Sequence, residues 1–313
     1  MQAIVLKAFG DVSNLHLEEL PLPLIGDQDV LIEVKAISIN PVDVKTRKGK
    51  GAAERLKMDN PMILGWDVCG VVIQTGNLVT ALRKGDEVFG MVNFPGAGRT
   101  YATYVAAPEG HLAVKPTTIG YEEAAGASLA ALTAYQALAF KAGVHPGQRV
   151  LVQAAAGGVG HFAVQIAKIL GAYVIGTASE ANRDFVLSLG ADEFVDYRSG
   201  HLKDHVQDVE LVLDMIGGDT IDQSLEAMRP GGKIISIPSG ANTHVVEKAQ
   251  AKGMIGNTFM TASNGRDMQQ IARWLEEGRL HTHIAAVFPF YQMDKAHESL
   301  ETGRTRGKII VTP

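Results

Sequence analysis

Between residues 155 and 160 the chain runs Ala155-Ala156-Gly157-Gly158-Val159-Gly160, after the apolar run Val150-Leu151-Val152-Gln153-Ala154 and before the helical pattern His161 to Lys168. Binding a pyrophosphate demands this layout. A tight turn must bring backbone N–H groups and a helix N-terminus against the phosphates, and side chains there would block the approach. Ala156, Gly157, Gly158, Val159 and Gly160 are therefore candidate dinucleotide-binding residues. A glycine-rich turn alone also suits an ordinary strand–helix corner; the strand before it, the helix after it and the β–α alternation beyond favour the dinucleotide. About 20 residues past the turn, an acid would bind a free ribose 2′-hydroxyl and repel a 2′-phosphate. This chain has Thr177-Ala178-Ser179 there, and Ser179 and Arg183 can donate to phosphate, with Glu180 as the one opposing carboxylate. NADPH is the expected cofactor.

Other chemistry-bearing residues are sparse. The single cysteine, Cys69, excludes an intramolecular disulfide and a zinc site built on several thiolates. His281 and His283, and the i, i+4 pair His201 and His205, have metal-like spacing but lack a third ligand, so each reads as a solvated surface pair. No metal is expected.

The elements that must position these groups follow from periodicity. Up to about residue 115 the chain is a series of short β-branched runs, Ala3–Leu6, Asp29–Ala36, Cys69–Ile73 and Glu87–Gly90, separated by Gly, Pro, Asp and Asn. That is the signature of an antiparallel barrel. From Tyr121 to Lys141 the pattern is helical, ending at Gly143. Strands and helices then alternate: strands at 150–154, 173–177, 193–197, 210–214 and 233–237, helices at 159–170, 182–189 and 219–228. This rhythm predicts a doubly wound parallel sheet in an α/β fold. A helix at 294–302 and a strand at 308–311 close the chain.

Composition narrows the function class. The 313 residues suit two domains; 46% are hydrophobic, 20% are charged and the net charge is −5. No basic cluster suggests a nucleic-acid footprint, and no uninterrupted apolar stretch suggests a membrane span. The N-terminus reads as strand, turn and strand rather than a signal peptide, so the cytoplasm is the expected location.

Several segments together carry a family pattern. Ser38-Ile39-Asn40-Pro41-Val42-Asp43-Val44-Lys45-Thr46-Arg47-Lys48-Gly49, Pro61 to Val72, the dinucleotide turn, Leu189-Gly190-Ala191-Asp192 and Gly303 to Ile310 resemble zinc-independent quinone oxidoreductases of the medium-chain dehydrogenase/reductase superfamily. The resemblance runs over the whole chain. It implies a GroES-like β-barrel domain (1–118, completed by 279–313) interrupted by a Rossmann NADP-binding domain (119–278). Zinc-dependent relatives carry Cys where Asn40 stands and Gly-His-Glu where this chain has Gly65-Trp66-Asp67. A replacement oxygen and nitrogen site from Asp43, Asp67 and nearby histidines is set aside. Without zinc, alcohol oxidation loses its Lewis acid, leaving hydride donation to quinones and enones.

By the same resemblance, Lys45 is the catalytic candidate. The form Asn-Pro-Val-Asp-x-Lys looks like the enone and alkenal reductase branch, where an ammonium stabilises the developing enolate. Asn40 would help through its amide and Asp43 would hold Lys45 or its loop; an exposed loop lysine is the plain alternative. The resemblance adds Thr133, Tyr197, Ile216, Ser236, Ile237 and Lys308 to the cofactor-binding set, and makes Trp66 a pocket wall or a core residue. An enoyl-thioester reductase and a non-catalytic NADPH-binding protein remain open readings. A homodimer is expected through an outer strand near 250–262, read at Ala251–Phe259.

Overall fold

Strand β3 (Asp29–Ile39) is the element on which half of the molecule is hung. The computed structural model describes residues 1–57 and 59–313, which form two units: Met1–Leu132 with Thr261–Pro313, and Thr133–Met260. The family resemblance implies domain limits at 118 and 278; the packed units part at 132 and 260.

In the first unit β1 (Gln2–Leu6) and β2 (Leu15–Glu19) form a hairpin ahead of β3. After β3 come α1 (Pro41–Arg47), α2 (Ala53–Leu56), β4 (Asp67–Thr75), β5 (Glu87–Met91), β6 (Tyr104–Pro108), β7 (Leu112–Val114) and α3 (Tyr121–Tyr135). The helical pattern expected to Lys141 narrows to α3, followed by a wider π-type turn over Gln136–Ala142 that ends at Gly143 with φ +69.

The second unit alternates β8 (Arg149–Val152), α4 (Gly160–Ile169), β9 (Tyr173–Ala178), α5 (Arg183–Ser188), β10 (Glu193–Asp196), α6 (Leu202–His205), β11 (Val209–Asp214), α7 (Asp219–Ala227), β12 (Met228–Ser236), α8 (Val245–Ala251) and β13 (Ile255–Thr258). Its six strands are parallel in the order β10-β9-β8-β11-β12-β13. Counted within the unit this is 3-2-1-4-5-6, the dinucleotide-binding order, as the β–α rhythm predicts. Leu151, Ile175, Val212 and Ile234 are wholly buried in it, each contributing about 1.5–3 kcal/mol. The outer strand is shorter than expected. Ala251 ends α8, which buries Val245 and Ala249, and Gly253 at φ +73 turns the chain before β13 begins at Ile255.

The chain returns to the first unit through α9 (Gly265–Glu276), β14 (Ile284–Pro289), α10 (Met293–Glu301) and β15 (Lys308–Thr312). The sheet order there is β14-β15-β3-β4-β5-β7, with β6 also pairing with β3. Register does the positioning. β15 runs antiparallel to β3 with Ile309 opposite Ile39, and β4 runs antiparallel to β3 with Cys69 opposite Ala36. The C-terminal end of β3, the first residue of β4 and the first residue of β15 therefore meet.

Candidate active site

At the end of β8 the turn forms as its glycines require. Ala154 takes a left-handed φ of +46, Gly157 N–H donates to Ala154 O at 2.8 Å, and His161 N–H donates to Gly157 O at 3.0 Å as α4 begins. The glycines have different tasks. A Cβ on Gly160 would collide with the Ala154 carbonyl, so this glycine lets helix and strand pack closely; one on Gly157 would meet only Ala154 O at 3.2 Å. Gly157 therefore leaves its face open for a phosphate, the arrangement a pyrophosphate needs.

Beside the turn, a pocket at the C-terminal ends of β8, β9, β10 and β11 is lined by Gln153, Thr177, Tyr197, Ile216 and Thr220. Sequence-predicted Tyr197 and Ile216 thus share one pocket. Gln153 Oε1 is buried without a hydrogen-bond partner while its Nε2 donates to Ser224 and to Thr220 O. An orphaned acceptor of this kind marks a place where a polar ligand fits. Ala178 is buried at the end of β9. Ser179 Oγ accepts from Asn182, and the exposed Arg183 is held by Glu180 and stacked over Phe194, its guanidinium 4.6 Å from the ring centroid. Arg198, which sequence reasoning missed, donates to the Tyr197 hydroxyl at 3.0 Å and puts a second guanidinium on this rim.

Asp214 was also missed, although an acid closing an apolar strand before Gly217-Gly218 is a readable signal. Its buried carboxylate accepts from the N–H groups of Ile216 and Gly217, both at 2.9 Å, and from the Ser236 hydroxyl. Ser236 is wholly buried and Ile237 N–H donates to Asp214 O at 2.9 Å, so these two predicted residues are tied to Asp214. Thr133 is buried near the end of α3.

The catalytic candidates lie in the first unit, where the segment expected to be a loop is helical. Asn40 is the N-cap of α1, Pro41 its first residue and Asp43 its third. Asn at the cap, Pro at the first position and an acid in the first turn are helix-start signals, so the helix was legible. Lys45 is half-buried on it, and burial pushes its ammonium below the usual lysine range.

Asn40 is held by Asp43, Asp67 and Lys308. Its N–H donates to Asp43 Oδ2 at 2.6 Å, its Nδ2 donates to Asp67 Oδ2 at 2.8 Å, and its Oδ1 accepts from the Lys308 ammonium at 2.5 Å. The expected substrate-facing amide is thus engaged within the protein, and Lys308, expected among the cofactor ligands, has its ammonium buried here. Lys308 also donates to Ile39 O at 3.2 Å and pairs with Asp67 at 3.9 Å; the second Asp67 oxygen accepts from Leu129 N–H at 2.7 Å. Burial drives the Asp67 carboxyl up and the Lys308 ammonium down, and each charge opposes the other's shift.

Behind this cluster Asp43 leads to the buried side chains of Tyr101, His297 and Arg47, which carried no sequence signal. Burial pushes Asp43 up to about 8, against the Asn40 N–H bond and with the Asp67 charge. The Tyr101 hydroxyl interacts with Asp43 and lies 3.0 Å from His297 Nε2. Burial and the Arg47 charge lower His297 to about 3, so its ring is neutral. Arg47 pairs with Glu301 at 2.5 Å. Trp66 is a core residue, wholly buried, its indole N–H donating to Gly96 O at 2.7 Å and its ring edge-on to Phe94.

Residues 26–117 match the alcohol dehydrogenase GroES-like domain, and residues 189–311 match the model described as zinc-binding dehydrogenase. The chain is 35% identical over its whole length to the NADPH-dependent alkenal/one oxidoreductase of Arabidopsis thaliana, covering 80% of that protein. It is 34% identical to the 2-methylene-furan-3-one reductase of Solanum lycopersicum, across all of this chain and 79% of the relative. The solved quinone oxidoreductase of Coxiella burnetii superposes with a TM-score of 0.95 at 36% identity, covering 100% of this chain and 99% of that one. The zinc in the second model's description does not fit these residues. Asn40 and Asp67 already share an ammonium, which would repel a divalent ion, and among the described residues no three His, Cys, Asp or Glu side chains are grouped to hold a metal.

Proposed function

The chain belongs to the medium-chain dehydrogenase/reductase family, in its zinc-independent quinone and alkenal/one oxidoreductase branch, and on that premise we propose that it reduces quinones or α,β-unsaturated carbonyls with NADPH. The observation that carries the reading is the full-length 35% identity to an NADPH-dependent alkenal/one oxidoreductase. When bound, NADPH supplies the hydride. Gly157 and the N-terminus of α4 would hold its pyrophosphate, and Ser179, Arg183, Tyr197 and Arg198 would meet its 2′-phosphate, where Ala178 brings no opposing acid.

The protein's own chemistry is electrostatic. As the acceptor carbonyl oxygen takes up negative charge, the Lys45 ammonium donates a hydrogen bond to it, and its burial makes the proton more acidic and the bond stronger. Asp43, Asn40 and the helix they cap hold Lys45 in register. No Lewis acid is needed, because a quinone or enone already presents an electrophilic carbon.

NADPH oxidation by the purified chain, measured against a panel of quinones, enones, enals and enoyl thioesters, tests the reading. Turnover with enones or quinones is expected. Turnover confined to enoyl thioesters moves the assignment to an enoyl reductase, and tight NADPH binding without any turnover makes the protein a binding module.

Our reading extends to location and assembly. We infer the cytoplasm, a reducing compartment with which the single buried thiol of Cys69 is compatible; among the described residues no helix is long and apolar enough to cross a membrane. A homodimer through β13 is supported by that strand pairing on one side only, with Ile255 exposed. Light scattering at micromolar concentration that returned a monomer would remove the dimer.

A further inference from the structure

We propose that Lys308 and Asp67 are positioning residues which clamp the Asn40 side chain between opposite charges and thereby fix the first turn of α1, the helix that carries Lys45. The proposal rests on the reading of the chain as an NADPH-linked reductase for which Lys45 is the carbonyl donor. It takes Lys308 out of the cofactor-binding set.

The amide of Asn40 has one orientation that the surroundings permit. Its oxygen faces the Lys308 ammonium at 2.5 Å, and its nitrogen faces the Asp67 carboxylate at 2.8 Å and Ser38 O at 3.4 Å. Turning the amide over would set oxygen against carboxylate and N–H against ammonium, losing both bonds and adding two repulsions. Lys308 and Asp67 are almost fully buried and 3.9 Å apart, so the asparagine dipole bridges the two charges and lies along the field between them. Each charge is anchored on another element, Lys308 by Ile39 O and Asp67 by Leu129 N–H in α3.

That clamp acts on the helix because Asn40 is its N-cap. The Asn40 N–H bond to Asp43 Oδ2 closes the first turn, and Lys45 follows two residues later. Side chains from β4 and β15 therefore converge on one residue whose backbone sets where α1 starts. Freed of the clamp, the amide gains other rotamers, the cap loosens, and the Lys45 ammonium spreads over positions that do not reach the carbonyl. A displacement of this kind lowers kcat and leaves cofactor binding alone.

The test compares wild type, Lys308→Met, and the double variant Lys308→Met/Asp67→Asn. The single variant strands a buried carboxylate and can fail to fold, since breaking one half of a buried pair is strongly destabilising. The double variant removes both charges and keeps nearly the same volume. We expect the double variant to melt close to wild type, to bind NADPH within about twofold by fluorescence titration, and to lose about tenfold or more in kcat for an enone. A weakened NADPH affinity would return Lys308 to the cofactor site and overturn the proposal. Recovery of kcat along with melting temperature would also overturn it, because the pair would then be structural only. If wild type reduces no acceptor in the panel, the functional reading fails by itself, and amide exchange at Val44 and Lys45 decides the clamp: faster exchange in the double variant supports it, equal exchange overturns it.

Discussion

Both oxygens of the Glu180 carboxylate accept from the Arg183 guanidinium, Nε at 2.6 Å and Nη2 at 3.0 Å. The pair lies at the surface immediately after β9, where we propose that the cofactor's 2′-phosphate binds. The Arg183 charge is thus present but turned toward its neighbour.

Glu180 should therefore restrain NADPH affinity. Because the pair is solvated, a phosphate dianion competes well for the guanidinium. Glu180→Gln is expected to tighten NADPH about two- to fivefold and to leave NADH unchanged. Fluorescence titration of the two cofactors checks this, and equal tightening of both would show that Glu180 acts by general repulsion.

Ala178→Asp should reverse the cofactor preference. The side chain sits at the end of the second strand of the parallel sheet, where a carboxylate repels a 2′-phosphate and accepts from a ribose hydroxyl. The ratio of kcat/KM for NADPH and NADH, measured in parent and variant, gives the answer; a parent without preference contradicts the reading.

Lys45→Ala should lower kcat for an enone by roughly 10- to 100-fold, with NADPH affinity unchanged. Quinone reduction should fall less, because a quinone needs less help at its oxygen. The fall should appear equally in kcat and kcat/KM, as for an interaction made only in the transition state. If both acceptors turn over at the parent rate, the Lys45 ammonium does not act on the substrate.

Asp43 and His297 should tilt the stability curve in opposite directions. The folded Asp43 carboxyl titrates near 8 instead of near the usual carboxylate value, so folding favours its protonated form. Its contribution is fully present below about pH 4 and is lost as pH rises toward 8. His297 is depressed to about 3, so its contribution is present above about pH 6.5 and is lost as pH falls toward 3. Asp43→Asn should therefore gain on the parent in melting temperature between pH 5 and 8, and His297→Gln should gain on it between pH 6 and 4. Parallel curves for parent and variant would mean that the group does not titrate in the folded protein as its burial requires.

Activity should also survive chelation. Lys308 places an ammonium against both Asn40 and Asp67, and no zinc ligand set can form beside it. One zinc per chain by metal analysis, removed together with activity, would contradict the family assignment made from these residues.

The parallel sheet and its glycine turn were legible in the sequence because each is a local affair. A strand, a tight turn and a helix occupy Arg149 to Ile169, and their periodicity and glycine spacing report the geometry directly. The N-cap Asn40, Pro41 and Asp43 were just as local, yet the segment was read as a loop, because a seven-residue helix leaves little periodicity to see. The outer strand was overextended for the converse reason: apolar residues from 251 to 259 look alike whether they end a helix or form a strand.

By itself, then, the sequence determined the two kinds of sheet, the glycine turn and the missing acid at Ala178, which rest on periodicity and short spacings, while the missing zinc ligands at Asn40 and Trp66 were legible through the family resemblance. Only the tertiary structure decided what Asn40, Lys308 and Asp67 do. Asn40 and Asp67 stand 27 positions apart, and Asn40 and Lys308 stand 268 apart. They meet because β15 and β4 pair with β3 in one register, and a shift by one residue would turn each side chain to the other face. Once buried together, the charges must find partners or be neutralised, and that requirement, invisible in a list of residue types, sets the Asn40 amide between the Lys308 ammonium and the Asp67 carboxylate.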